Sequence, residues 1–310
     1  MKAATRIGDA LAQAQRLGVA RLDAQWLLCH LLQRPRVWLL ANDQQALPEP
    51  LASLFESGVQ RRLAGEPLAY ITGWVEFCGL ALQVTPAVLI PRPETEGLVH
   101  WGLACLQQAA APQRLLHALD LGTGSGAIAL ALQRGCQRAG LAVQMLATDA
   151  SRSALAVAQA NAERLWLDQG LGLSLGLSQH PGPHIHWSCG PWWQAVPAAS
   201  QFDLVLSNPP YIAQGDVHLQ ALQHEPQAAL TAGPQGLDDL RQIIAGAVAH
   251  LLPGGWLLLE HGHDQARAVS ELMAQQGLTA LCTRPDLAQL PRLTGGRRPT
   301  SAELAAPGAK

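Results

Sequence analysis

The sequence predicts an α/β fold in which a doubly wound, mostly parallel sheet follows a small helical-bundle domain. Residues 5–64 carry apolar side chains at the three- and four-residue spacing of amphipathic helices. From about residue 95 onward, short apolar runs typical of buried strands alternate with helical patterns. Such alternation is the order of βαβ units, which build a parallel sheet covered by helices on both faces.

The N-terminal helical domain is expected to span residues 1–73. Pro35 and the stretch Leu47-Pro48-Glu49-Pro50 interrupt its periodic pattern, because proline lacks the amide hydrogen that a helix interior requires. The expected structure is therefore a bundle of separate short helices. Residues 74–94 follow, with short apolar runs around Gly79 and with several prolines. This composition is typical of a hairpin and a linker.

The α/β domain is predicted to span residues 95–296. Its strands are expected where short apolar runs occur, at residues 115–121, 143–149, 185–189, 202–207 and 256–261. Helices are expected between strands, for example at residues 127–134 and 153–164. Residues 165–184 are interpreted as a surface insertion, and residues 297–310 as a frayed, disordered tail. In such a sheet, ligands bind at the carboxyl ends of the strands.

Charge and cysteine content restrict the function. The formal net charge is −2, so the chain lacks the basic footprint of a nucleic-acid-binding protein. The six cysteines are scattered and form no C-x-x-C pair, which argues against disulfides and a zinc site and is typical of a reducing cytoplasm. No apolar run reaches the ~18 residues that span a bilayer. The sequence thus predicts a cytoplasmic monomer with no metal, no membrane partner and no direct nucleic-acid partner.

A glycine-rich segment joins a predicted strand to a predicted helix and is the first candidate binding site. It comprises Gly122, Thr123, Gly124, Ser125 and Gly126. Glycine lets the backbone turn tightly and approach a ligand without a Cβ, and the helix N-terminus is expected to offer free N–H groups. With Ala127 the segment also satisfies the G-x-G-x-x-G/A fingerprint of dinucleotide-binding proteins. A nicotinamide dinucleotide and other nucleotide-like cofactors therefore both fit.

A single carboxylate ends the next predicted strand, at Asp149. A carboxylate at that position can accept two hydrogen bonds from the hydroxyl groups of a cofactor ribose, and we predict that role. The alternative is that Asp149 caps the helix that begins near Ser153. Neither the glycine loop nor Asp149 selects one cofactor over another.

The motif that selects the chemistry follows the predicted strand at 202–207. It comprises Asn208, Pro209, Pro210 and Tyr211. Two prolines stiffen the loop and leave its carbonyls free as acceptors, asparagine adds a side-chain acceptor, and tyrosine adds a flat face. This set suits a planar NH2 group, because acceptors can hold both hydrogens and aim the nitrogen at an electrophilic methyl group. Orientation of this kind can lower a barrier by up to ~7–11 kcal/mol without a strong base.

With this motif the sequence resembles the class I S-adenosylmethionine-dependent methyltransferases. Within them it is similar to the family of protein-(glutamine-N5) methyltransferases that modify bacterial peptide chain release factors. The resemblance covers roughly residues 5–295. The segments that carry it are residues 65–73, 89–96, 120–132, 207–211, 225–236 and 254–262.

The resemblance implies a seven-stranded sheet with an antiparallel last strand, and a helical domain that helps to hold a class I release factor. It implies that residues 122–126 and Asp149 bind S-adenosylmethionine. Asn208 would contact both cofactor and substrate. Pro209, Pro210 and Tyr211 would complete the catalytic pocket for the glutamine of a Gly-Gly-Gln motif.

The resemblance further implies an aromatic or apolar residue beside the adenine ring of the cofactor. Trp192 and Trp193 are both candidates. Trp192 is preferred, because the local pattern then aligns best at Ala195 and Val196.

Four other functions compete with this one. A ribosomal-protein glutamine methyltransferase has a similar pattern, although Arg92-Pro93-Glu94-Thr95-Glu96 favours the release-factor branch. An adenine-N6 methyltransferase shares the Asn-Pro-Pro-Tyr motif but requires a basic groove. An NAD-dependent oxidoreductase would use the glycine loop and Asp149 but would leave residues 208–211 without a role. A non-enzymatic nucleotide-binding or scaffold protein would not need that motif either.

Overall fold

The computed structural model describes residues 5–167 and 185–305. The chain divides into two compact units, Met1–Trp74 and Val75–Lys310. Most of the predicted insertion, residues 168–184, lies outside the described residues, as do residues 306–310 of the predicted tail. None of the helices in the described part of the chain is long and apolar enough to cross a bilayer.

The first unit is a helical bundle. Its helices are α1 (Ile7–Arg16), α2 (Arg21–Leu32), α3 (Arg36–Ala41), α4 (Glu49–Leu63) and α5 (Leu68–Thr72). Leu28, Leu39 and Phe55 are among the buried side chains of their common core. Helices α2 and α4 approach closely at Gly58, where a Cβ would lie only 2.6 Å from the Leu27 side chain. A glycine at this position therefore sets the distance between the two helices.

A hairpin follows in the chain, with β1 (Trp74–Phe77) and β2 (Leu80–Gln83). Its turn residues, Cys78 and Gly79, both have positive φ, as two-residue hairpin turns of the primed type require. The end of β2 is fixed by the side chain of Asn161. The backbone of Gln83 donates to Asn161 Oδ1 at 2.6 Å and accepts from its Nδ2 at 2.9 Å.

The second unit contains a seven-stranded sheet. Its strands are β3 (Leu116–Leu121), β4 (Val143–Asp149), β5 (Ile185–Cys189), β6 (Phe202–Ser207), β7 (Leu251–Glu260), β8 (Thr279–Pro285) and β9 (Pro291–Arg297). The strand order is β5-β4-β3-β6-β7-β9-β8, and β9 alone runs antiparallel to its neighbours. The predicted fold class, with a doubly wound and mostly parallel sheet after a helical bundle, is confirmed.

Helices cover both faces of this sheet. They are α6 (Glu96–Ala109), α7 (Ala127–Arg138), α8 (Arg152–Leu167), α9 (Asp238–His250) and α10 (Ala266–Gln275); the short α11 (Ser301–Ala305) follows β9 in the chain. Short 3-10 segments lie at Pro93–Thr95, Trp192–Ala195, Val217–Leu222 and Gln227–Ala229. Along β3, Leu116 and Ala118 belong to the core on the α6 and α7 side. Leu119 and Leu121 belong to the core on the α9 and α10 side, as the two-residue alternation of a strand requires.

Strand β7 is longer than the sequence predicts. It begins at Leu251 rather than at residue 256, and Leu251 pairs with Phe202 of β6 across a local register shift. Pro253 and Gly254 are typical of turns, so the sequence pattern did not predict this first part of the strand. The ladder nevertheless continues, because the Gly254 N–H donates to the carbonyl of Arg298 at 2.9 Å.

The tail that the sequence predicts to be frayed is ordered in its first part, so that prediction is wrong for residues 297–305. Arg297 ends β9, and the chain then forms α11. The Glu303 N–H donates to Thr300 Oγ1 at 3.2 Å, and the Thr300 N–H donates to Glu303 Oε2 at 2.7 Å. This reciprocal pair is a capping box, and its T-x-x-E spacing is a sequence signal for a helix start.

The topology of the sheet places a crevice beside its central strand. Strands β4 and β5 lie on one side of β3, and strands β6 and β7 lie on the other. The chain therefore leaves β3 in one direction and returns on the opposite side, which opens a crevice at the carboxyl ends of the strands. The glycine loop follows β3, Asp149 ends β4, and residues 208–211 follow β6, so all three lie at this edge.

Candidate active site

Two loops leave the sheet side by side at the crevice. In the parallel pairing of β3 and β6, Leu121 is opposite Ser207, so the glycine loop and the Asn-Pro-Pro-Tyr loop begin at the same level. The buried Ser207 hydroxyl donates to the carbonyl of Leu121 at 2.6 Å. This hydrogen bond holds together the strand ends from which the two loops begin.

The glycine loop has the left-handed backbone that only glycine adopts without strain. Gly122, Gly124 and Gly126 have φ of +75°, +56° and +83°. A Cβ on Gly126 would lie 3.1 Å from Ala158 of α8, whereas a Cβ on Gly124 would have no described atom within 4 Å. Gly126 therefore serves packing, and Gly124 lies on the open side of the loop.

The two polar residues of the loop point inward. Thr123 and Ser125 are buried, and the Thr123 hydroxyl donates to Asp120 Oδ2 at 2.7 Å. The Ala129 N–H at the start of α7 donates to the same oxygen at 3.2 Å. Burial raises the pKa of Asp120 to about 7. What Thr123 and Ser125 present to the crevice is therefore backbone rather than side chain.

Most N–H groups of the glycine loop itself are bonded within the protein. The N–H groups of Gly122 and Thr123 donate to the carbonyl of Thr148, and that of Gly126 donates to the carbonyl of Thr123. The Gly124 N–H donates to Asp149 Oδ2 at 2.9 Å. A pyrophosphate is bound by unpaired N–H groups at a helix N-terminus. Residues 122–126 themselves offer few such groups, so a cofactor without phosphate also suits the loop.

Asp149 holds the glycine loop through a hydrogen bond and can still accept hydrogen bonds from a ligand. Its Oδ1 accepts from the Ser151 N–H at 2.8 Å, and desolvation by burial raises its pKa. The hydroxyl of Ser151, not Asp149, accepts the Ala154 N–H at 3.1 Å and so caps α8. The alternative helix-cap role is thereby taken by Ser151. Each carboxylate oxygen has a second lone pair available for a ribose hydroxyl.

The two neighbouring tryptophans have different surroundings. The Trp192 ring lies beside the glycine loop, since a Cβ on Gly122 would be 3.2 Å from it. Trp193 packs instead on α9, where it stacks on His250 with ring centroids 4.8 Å apart. Its Nε1–H donates to the carbonyl of Ile243 at 3.0 Å. Of the two indoles, Trp192 is the one that lies at the crevice.

Asn208 presents an unused acceptor. Its Nδ2 donates to Thr95 Oγ1 at 3.1 Å. Its Oδ1 is buried and has no hydrogen-bond partner among residues 5–167 and 185–305. Pro209 and Pro210, which follow it, are buried, so the loop is held rigidly. A buried, unpaired acceptor of this kind is costly in free energy unless a ligand donates to it.

A buried carboxylate behind the pocket was not expected to have a functional role. Glu260, at the end of β7, accepts from the Thr95 hydroxyl at 2.7 Å and from the Tyr211 hydroxyl at 3.4 Å. Burial raises the pKa of Glu260 to about 7 and raises that of Tyr211 above its usual range. The sequence signal was an acidic residue that ends an apolar run, Leu257-Leu258-Leu259-Glu260. Buried acids in that setting are candidates for functional sites.

The segment that carries Thr95 is anchored by a second acid. Glu225 is buried, pairs with Arg92, and accepts the Ile90 N–H at 3.1 Å. Arg92 is thus engaged in an ion pair behind the segment. No cluster of His, Cys, Asp and Glu in the described ranges has the arrangement of a metal site.

The parallel sheet, the glycine loop and the Asn-Pro-Pro-Tyr loop together define the class of this protein, and it is a methyltransferase. The family model described as "Methyltransferase small domain" matches residues 102–275. The family model described as "PrmC N-terminal domain" matches residues 3–73.

Curated relatives identify the family within that class. The chain is 44% identical to the "Release factor glutamine methyltransferase" of Bordetella pertussis over 94% of this chain and 99% of the relative. It is 42% identical to the protein of the same name from Coxiella burnetii, over 90% of this chain and 92% of the relative. For the Vibrio cholerae protein the identity is 39%, over 91% of each chain. This chain belongs to the release factor glutamine methyltransferase family.

Proposed function

We propose that this enzyme transfers the methyl group of S-adenosylmethionine to the side-chain amide nitrogen (N5) of the glutamine in the Gly-Gly-Gln motif of class I peptide chain release factors. The observation that carries the proposal is the buried Oδ1 of Asn208, which has no partner within the described residues. It lies on the loop beside the glycine loop, at the edge where a methyl donor would lie. An amide NH2 group supplies the donor that this oxygen lacks.

The cofactor would be held by residues 122–126, Asp149 and Trp192. Gly124 leaves room for close approach, Asp149 offers lone pairs to ribose hydroxyls, and Trp192 offers a ring face beside Gly122. The absence of phosphate in S-adenosylmethionine agrees with a loop whose N–H groups are mostly bonded within the protein. When bound, this cofactor supplies an electrophilic methyl group on a sulfonium.

The chain's own residues would hold and aim the acceptor amide. Asn208 Oδ1 accepts one hydrogen of the glutamine NH2, and a carbonyl of the proline-stiffened loop accepts the other. The nitrogen lone pair would then be directed at the methyl group of the cofactor, whose transfer would form a C–N bond and break the C–S bond. The methylated amide carries an extra proton and is acidic, so it releases that proton to water without a strong base. The rate enhancement comes from this orientation of the acceptor amide.

The names of the relatives support the choice of substrate, since each is called a release factor glutamine methyltransferase. We further propose that the helical domain of residues 1–73 helps to hold the release factor. The enzyme would act in the cytoplasm, where release factors work. Residues 208–211 would form the catalytic and substrate-binding pocket.

The direct test uses S-adenosylmethionine labelled in its methyl group and a purified release factor. Label on the wild-type factor, and none on a factor whose Gly-Gly-Gln glutamine is replaced by alanine, is the expected result. Equal labelling of both factors would place the acceptor elsewhere. Labelling of ribosomal proteins or of adenine in nucleic acid, with none on the release factor, would refute the proposed substrate.

A further inference from the structure

We propose that Glu260, acting through the hydroxyl of Thr95, fixes which way the Asn208 side-chain amide points. Glu260 and Thr95 would be positioning residues, and Asn208 the residue that contacts the substrate. The inference rests on the proposed function, because it concerns the atom that would hold the acceptor amide. It assigns a role to a carboxylate that the motif-bearing loops do not contain.

The direction of the hydrogen bonds determines the orientation. The Thr95 hydroxyl has one hydrogen, and it donates that hydrogen to Glu260 Oε2 at 2.7 Å. Toward Asn208, Thr95 Oγ1 can therefore act only as an acceptor. It must receive a hydrogen from Nδ2, at 3.1 Å. Oδ1 is then the Asn208 atom left for the pocket, which is the acceptor that an incoming NH2 group requires.

The reversed orientation of the Asn208 side-chain amide would be unfavourable for two reasons. With Oδ1 turned toward Thr95, two acceptors would face each other. Nδ2 would also be turned toward the pocket, where it would meet the hydrogens of the substrate amide instead of accepting one. Thr95 and Glu260 are 4% and 1% exposed, so water does not compete for these bonds. A buried network with every hydrogen assigned holds its members in one arrangement.

Glu260 also reaches the second side chain of the pocket. Its other oxygen, Oε1, accepts from the Tyr211 hydroxyl at 3.4 Å. One carboxylate thus contacts Tyr211 directly and Asn208 through Thr95. The charged groups that act on Glu260 are Arg292, which favours its ionised form, and Glu94, which opposes it.

The hydrogen bonds among Glu260, Thr95 and Asn208 depend on pH, because Glu260 can be ionised or protonated. Protonated Glu260 can donate to Thr95 Oγ1, which frees the Thr95 hydrogen to point at Asn208 and stabilises the reversed amide. Burial raises the pKa of Glu260 to about 7. Burial lowers the pKa of the neighbouring His261, in the direction opposite to that of Glu260. The active arrangement belongs to ionised Glu260 and is lost as the pH falls through about 7.

Thr95→Val and Thr95→Ser form the matched pair that tests this assignment. Valine keeps the shape and removes the hydroxyl, whereas serine keeps the hydroxyl. The Thr95 side chain makes no capping bond to α6, so its hydroxyl is not required to start that helix. We expect T95V to lower kcat for release-factor methylation about 10- to 100-fold, while KM and the Kd for S-adenosylmethionine stay within about threefold. We expect T95S to retain kcat within about threefold of the wild type.

Two further readouts separate positioning from general structural support. The side-chain NH2 signal of Asn208 in nitrogen-15 NMR, identified by its loss in N208A, should shift and exchange faster with water in T95V but not in T95S. The pH profile of kcat should rise to a plateau above about 7 in the wild type and lose this step in Glu260→Gln.

The outcomes are distinct. Wild-type kcat and an unchanged Asn208 signal in T95V would overturn the inference. Equal losses in T95V and T95S, or a collapse of cofactor affinity in T95V alone, would indicate a structural role and would also overturn it. If the wild-type enzyme leaves the release factor unmethylated while T95V still shifts the Asn208 signal, the proposed substrate fails and the positioning network stands.

Discussion

The ring of Trp192 lies against Gly122, so closely that a Cβ on this glycine would be 3.2 Å from it. The indole is held there because its Nε1–H donates to Asp239 Oδ1 at 2.9 Å. Trp193, the next residue, stacks on His250 of α9 instead. Two adjacent indoles therefore allow cofactor binding and core packing to be tested separately.

The Trp192→Ala enzyme is expected to bind S-adenosylmethionine about tenfold more weakly, because the adenine would lose its stacking partner. Trp193→Ala should leave the Kd within about twofold and should lower the free energy of unfolding by ~2–4 kcal/mol, because it empties a packed site on α9. Calorimetric titration measures the first quantity and urea unfolding measures the second. Equal losses of affinity in the two variants would contradict the assignment of Trp192.

Gly124→Ala should weaken cofactor binding without unfolding the protein. The position has φ of +56°, and a Cβ there would project into space free of described atoms, where the cofactor would approach. Gly140→Ala is the matched control, since Gly140 has φ of +69° and its Cβ would likewise meet no described atom. Both variants should lose ~1 kcal/mol of stability from left-handed strain.

The two glycine variants should therefore differ in one measurement only. We expect the Kd for S-adenosylmethionine to rise about tenfold or more in G124A and to stay at the wild-type value in G140A. An unchanged Kd in G124A would show that the cofactor does not approach this side of the loop.

Asn208→Ala should abolish most of the turnover. It removes the acceptor for the substrate amide and leaves the Thr95 hydroxyl without its donor. We expect the single-turnover rate of release-factor methylation to fall at least about 100-fold, through lost orientation and an unpaired substrate donor. Rapid-quench measurements with saturating cofactor isolate that step. A rate within about threefold of the wild type would exclude Asn208 from the reaction.

Two buried acids should make the protein less stable as the pH rises. Burial raises the pKa values of Asp120 and Glu260 from 3.8 and 4.5 to about 7 each. Because the folded-state pKa exceeds the unfolded value, each group contributes stability below pH ~4 that is lost as the pH rises through about 7. Ionisation of these acids at neutral pH thus opposes folding.

Asp120→Asn and Glu260→Gln remove one titration each. In urea unfolding at pH values of about 5 and about 8, we expect each variant to show a smaller loss of stability between the two pH values than the wild type, by ~1–3 kcal/mol. An unaltered pH dependence in both variants would show that other groups dominate it.

The sequence predicted the structure best in short stretches that are buried or that carry functional residues. Strands β3 and β6 were predictable because strands buried on both faces are continuous apolar runs, and residues 208–211 stood out as a motif. Strand β8 is mostly exposed at the edge of the sheet and gives no such run. Strand β9 contains Gly295 and Gly296, which suggest a turn. In the structure, the absence of a Cβ on Gly295 leaves room for the ring of Trp101 and the side chain of Leu258.

The link from Glu260 to Asn208 could not be predicted from spacing. Thr95 and Glu260 are 165 positions apart, and only the sheet topology brings the end of β7 beside the turn that precedes α6. Similarly, the sequence offered both Trp192 and Trp193 as candidates, and it favoured Trp192 only through the alignment of Ala195 and Val196. Their separation depends on the left-handed backbone at Trp192, with φ of +43°, which no propensity rule would assign to tryptophan.

The position of β9 constrains how the enzyme can be made. This strand follows β8 in the chain, yet it lies inside the sheet between β7 and β8, and Leu293 pairs with Glu260. A nascent chain that has not yet delivered residues 291–297 therefore has β7 as an open edge, with the carboxylate behind the pocket lacking its neighbour. Assembly of the pocket must wait until residues 291–297 have been translated, so a product that ends before them would contain both loop motifs and still lack the finished site.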